Sequence, residues 1–145
     1  MLSLKQALEI ASTVLEQGRA SGFAPMSVAV LDSGAHILAV LCDERASIGR
    51  PDIALAKAAG CLAMGFGGRE LARRAQGAPQ FFSALTQVLP QGIVPVPGGV
   101  LIRGTSDELV GAVGVSGDTS DNDEICAIAG VRAVQFVPDT GAPRE

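Results

Sequence analysis

From Leu4 onward, apolar residues recur three and four positions apart: Leu4, Leu8, Ala11 and Leu15, with Ala7 and Val14 widening the stripe. That spacing predicts an amphipathic helix over residues 3–17. Ser3 supplies an N-cap, and Gln6 three residues later completes a capping box. Gly18 or Gly22 can end the helix in the left-handed conformation. The pattern then shortens. Residues 26–31 and 37–42 are β-rich runs around Asp32-Ser33-Gly34, which is turn chemistry, so a hairpin is predicted. Both runs are apolar at almost every position, which implies cover on both faces, or helices on one and a partner on the other.

Residues 51–64, "PDIALAKAAGCLAM", read as a second helix, with Pro51 in the first turn and Asp52 at the positive end of the dipole. It is apolar nearly all round and is predicted to be buried on most sides. "GFGG" breaks it. "RELARRAQ" is a short amphipathic helix, and "APQFFSALTQVL" is a turn followed by helix or irregular structure. Residues 100–103 and 109–116 form a second predicted hairpin around the loop 104–108. Gly111 and Gly114 weaken that last strand and imply that something packs very close to it. Residues 118–129 read as the final helix, with Thr119 as N-cap and Asp121, Asp123 and Glu124 near its start. "VRAVQFV" reads as a short last strand and "PDTGAPRE" as a polar tail. Two hairpins separated by helices predict an α+β domain with an antiparallel sheet, one domain spanning residues 1–145. No dinucleotide fingerprint or Walker-type loop is present.

Composition narrows the partners. A net charge of −4 with no basic cluster beyond Arg73-Arg74 argues against nucleic acid. With no Trp or Tyr and five Phe, no stacking platform for bases is expected either. No apolar run approaches the roughly 20 residues of a membrane span. The N-terminus reads as a helix and not as a signal peptide, so a cytoplasmic protein is expected. Cys42, Cys61 and Cys126 are widely spaced and odd in number, which favours small apolar residues over a disulfide or zinc site. A mean hydropathy of +0.35 is high for a small soluble monomer and points to a homo-oligomer.

Few residues can carry chemistry. His36 is the only histidine and follows the "DSGA" turn; it is either an axial ligand or proton donor, or a polar residue at a hairpin end. Lys57 stands on an apolar helix. Its stem lies along the surface with the ammonium in water, or its cation pairs with a ligand carboxylate or a group outside its helix. Arg50 could complete a carboxylate site. "VSGDTSDNDE" is a strand end, a turn and a helix start, whose acids read mainly as caps and solvated charges. In "IVPVPGGVLIR" the prolines stiffen the chain, and Gly98-Gly99 lets the backbone approach a ligand, a neighbouring subunit or nothing beyond an ordinary turn.

The segments "VAVLDSGAHILAVLCDERA", "IALAKAAGCLA", "VPVPGGVLIR" and "LVGAVGVSGDTSDNDEICAIAG" together resemble the GlcG/HbpS-like haem-binding family, which includes the C-terminal domain of PduO proteins. The resemblance runs from about Leu4 to Gly130. It implies a profilin-like fold with a central antiparallel sheet of about five strands flanked by helices, homo-oligomers, and haem as a cofactor in some members. His36 matches the family's D-x-G-G-H-L pattern, with Ala35 replacing the second glycine. Lys57 matches the helix lysine. Pro97, Gly98 and Gly99 match the "PxxGG" loop, and Ser116, Gly117 and Asp118 begin the "GVSGxTxxxDE" segment, where Ser120 replaces the usual proline. The resulting expectation is a small-molecule or haem site drawn from His36, Arg50, Lys57, Pro97, Gly98, Gly99, Ser116, Gly117 and Asp118, with His36 as the one metal ligand. The alternative is a small enzyme acting on an organic acid through a Lys57/Arg50 pocket.

Overall fold

The Ser3 hydroxyl accepts a hydrogen bond from the Gln6 amide at 3.1 Å, and the Gln6 side chain accepts from the Ser3 amide at 3.0 Å. This capping box starts α1 (Leu4–Ala20). The computed structural model describes residues 1–143; the last two residues of the expected polar tail lie outside the described residues. After α1 come β1 (Ser27–Asp32), β2 (Ile37–Cys42), α2 (Arg50–Met64), α3 (Gly68–Gly77), α4 (Pro79–Val88), β3 (Gly99–Arg103), β4 (Leu109–Ser116), α5 (Ser120–Ala133) and β5 (Val137–Asp139). The strands form one antiparallel sheet in the order β2-β1-β4-β3-β5, an α+β arrangement.

Strand alternation splits the core in two. Val28, Val30, Val100, Ile102, Val113 and Val115 meet the buried sides of α1 and α5. Leu31, Leu101 and Ala112 meet α2 and the residues of α3 and α4 beneath it. The glycine signal in β4 has its explanation on this second face. A Cβ at Gly114 would collide with the Ala54 carbonyl oxygen, so α2 lies directly on the β4 backbone. Gly99, the register partner of Gly114 on β3, repeats the effect: a Cβ there would come within 2.6 Å of the Lys57 carbonyl oxygen.

The structure corrects three readings. The buried stripe of α1 is Ala7, Ile10, Ala11 and Val14, while Leu4 and Leu8 are exposed. Close helix packing selects the small side: a Cβ on Gly130 of α5 would sit 2.8 Å from the Ile10 carbonyl oxygen. Second, α5 runs on to Ala133, and the last strand, β5, begins only at Val137, the final residue of "VRAVQFV". Val131 faces the core as part of the helix, and Gln135 turns the chain with a φ of 65°. Third, Asp123 and Glu124 are buried and paired rather than solvated. The segment "APQFFSALTQVL", read as helix or irregular structure, is helical as α4.

Candidate functional site

The candidate residues fall at the two ends of the interior strand β1. At the Ser27 end, α2, β4 and α5 converge. Lys57 is 3% exposed, and its ammonium donates to the Val115 carbonyl oxygen at 2.9 Å and to Asp123 Oδ2 at 3.0 Å. Asp123 is 1% exposed, and its other oxygen accepts from the Asp118 amide at 2.9 Å. Burial pushes the Lys57 amine below the ordinary lysine range and the Asp123 carboxyl above the ordinary carboxylate range, each opposed by the other's charge. The partner that the apolar helix could not supply comes from the "SGDTSDNDE" segment.

Gly98 stands over this pair with a φ of 110°, where a Cβ would lie 2.8 Å from Lys57 Nζ. The close approach for which Pro97, Gly98 and Gly99 are shaped is therefore to α2 and its lysine. Asp118 is fixed by three donors: the Ala24 amide at 2.6 Å, the Thr119 amide at 2.9 Å and the Asn122 side chain at 2.7 Å. These hold its carboxyl below the usual range. Gly117 packs on Met26, and Arg50 Nη1 donates to Ser116 Oγ at 3.0 Å. Arg50, Lys57, Pro97, Gly98, Gly99, Ser116, Gly117 and Asp118 thus form one neighbourhood.

His36 lies elsewhere, beyond the opposite end of β1, about 17 Å along the strand. The Asp32 carboxylate organises its turn, accepting from the Gly34 and His36 amides, each at 2.9 Å. It also lies 3.1–3.2 Å from His36 Nδ1, which faces the carboxylate as a donor, while Nε2 has no hydrogen-bond partner among the described residues. The side chain is 81% exposed. It borders a groove of about 550 Å³ whose walls include Leu2, Leu38, Leu109 and Val110. Gln91 donates to the Ala35 carbonyl oxygen at 3.1 Å, bracing a residue held at a φ of 65°.

Sequence reasoning did not single out Asp32 or Ser27. Asp32 was visible only as a turn residue. Ser27 is buried, and its hydroxyl is the one buried side-chain polar atom without a hydrogen-bond partner among the described residues. The cysteines are free; burial pushes the Cys61 thiol up to about 12 and Cys126 to about 11, which leaves both unreactive at neutral pH. Among the described residues no group of three or more His, Cys, Asp or Glu could hold a metal ion. Nor is any helix among them long and apolar enough to cross a membrane.

Comparison with known proteins places this geometry. The family model for haem degrading protein HbpS-like matches residues 2–132. A double mutant of Streptomyces reticuli HbpS is 28% identical, with a TM-score of 0.79 over 92% of this chain and 86% of that one. The PduOC–haem complex superposes with a TM-score of 0.81 at 21% identity, covering 93% of this chain and 96% of that one. Klebsiella pneumoniae protein ORFY does so with a TM-score of 0.80 at 24% identity, covering 90% and 88%. The last two likenesses concern the fold. No curated protein matches the sequence. The chain belongs to the HbpS-like family.

Proposed function

We propose that this member of the HbpS-like family binds haem, with His36 as the iron ligand. The family supports haem as the ligand class, and one similar solved structure is a haem complex. The observation that carries the assignment to His36 is its geometry. A single exposed imidazole has Nδ1 occupied by Asp32, leaves Nε2 unspent, and opens on a partly apolar groove. A haem iron requires a strong axial donor and the macrocycle an apolar wall, and this combination meets both. A carboxylate on the remote nitrogen also raises the basicity of the ligating one. The bound group would supply iron chemistry; the chain's residues bind and orient it.

Around this centre the chain is one domain over residues 1–145, assembled as a cytoplasmic homo-oligomer accessory to haem or organic-acid metabolism. Ile37, Val40, Ile48, Phe81, Val88 and Ile125 are exposed, which supports burial against further copies. The Lys57–Asp123 pair serves as a brace, since the hydrogen bonds of its amine are made inside the chain.

Hemin titration followed in the visible spectrum tests the proposal. A sharp Soret band saturating at one haem per chain is expected for wild type. His36→Ala should lose that band and weaken binding about ten-fold or more. An unchanged spectrum and affinity in His36→Ala would remove the histidine from the site.

A further inference from the structure

The first turn of α2 gathers three polar features whose capacity the chain does not use. Arg50 is the first. Its Nη1 is bonded to the neutral Ser116 hydroxyl, while Nε and Nη2 have no partner among the described residues. Unlike Lys57, whose charge Asp123 balances, Arg50 forms no ion pair among them. The second is Ser27, fully buried with an unpartnered Oγ. Ser27 lies directly across from Ser116 in the sheet register and on the same side of β1 as Leu31, which packs in the α2 cluster. Its hydroxyl therefore faces the corner that Arg50 closes. The third is the helix start, where Gly49 offers no side-chain cap and the amide dipoles add positive potential.

We propose that this corner is a binding site for a small monocarboxylate. The Nε–Nη2 edge of a guanidinium presents two parallel donors spaced for the two oxygens of a carboxylate. One unbalanced cation suits one negative charge better than a doubly charged phosphate, all the more with Asp52 in the same turn. Arg50 is partly exposed and meets the ligand first; Ser27 and Ser116 are the hydroxyls behind it. The corner lies at the end of β1 opposite His36, so the inference does not depend on haem.

Acetate is the probe. Titrating sodium acetate into isotopically labelled protein at constant ionic strength, with chloride as control, should shift the Arg50 Nε–H resonance and the Gly49 and Asp52 amides saturably, in the millimolar range. Arg50→Gln, and Arg50→Lys, which keeps the charge but loses the fork, should each weaken binding about ten-fold or more. Ser27→Ala should weaken it about three- to ten-fold, and His36→Ala should leave it unchanged. Shifts no larger than those from chloride, or Arg50→Lys binding as wild type, would overturn the proposal. So would inorganic phosphate binding more tightly than acetate.

Discussion

Lys57 and Asp123 show how much one buried pair can hold. Taking two charges out of water is costly, and their mutual attraction with two further hydrogen bonds offsets that cost. Removing one partner leaves the other buried and unpaired. Lys57→Met is therefore expected to destabilise by about 3–5 kcal/mol, and adding Asp123→Leu should recover a large part of the loss. Denaturant midpoints of the single and double variants measure it; a double variant worse than the sum of the singles contradicts the brace. Ala35 makes a smaller claim. It occupies the left-handed region that glycine adopts freely, so Ala35→Gly should stabilise by about 0.5–1 kcal/mol. The need for a partner to Lys57 was legible, because no acid stands at helical spacing on its own face. The choice of Asp123 among four nearby acids was not, since it depends on how α5 lands against β4.

At the scale of elements, α2 and β4 depend on missing side chains. Gly114→Ala would push α2 off the sheet, at about 1–3 kcal/mol or more, with the loss largest in hydrogen-exchange protection of α2. In α3, Glu70 accepts from Arg73 at 2.7 and 2.6 Å and from Arg74 at 2.9 Å, which lowers its carboxyl from 4.5 to about 2. A carboxyl lowered by folding adds stability that is full above its unfolded value and is lost as pH falls through the folded one. The stability gap between wild type and Glu70→Gln should thus be open above pH 4.5 and closed near pH 2, as urea midpoints would record. A gap independent of pH would contradict it. The hairpins and α2 could be read from the chain because turn chemistry and proline mark their ends. The end of α5 could not: "VRAV" is β-branched enough to read as strand, yet Val131 lies on the buried side of the helix, and packing on α1 decides.

For the whole molecule, the sheet separates two groups of residues that the sequence had drawn into one site. His36 and Arg50 are near one another in sequence but stand at opposite ends of β1. Periodicity reports which face a residue occupies and is silent on which end, so their separation required the fold. Large apolar residues such as Ile48, Phe81 and Val88 stay exposed on the single chain, and light scattering at micromolar protein should give a multiple of the 14.7 kDa chain mass. A monomer would leave that surface unexplained. The central claim is tested most directly by the histidine itself. Because His36 is the only one, labelling histidine with nitrogen-15 marks a single side chain. Pulsed EPR of the ferric haem complex should then show the iron's hyperfine coupling to an axial imidazole nitrogen change with the isotope. A coupling identical in labelled and unlabelled protein would contradict ligation by His36.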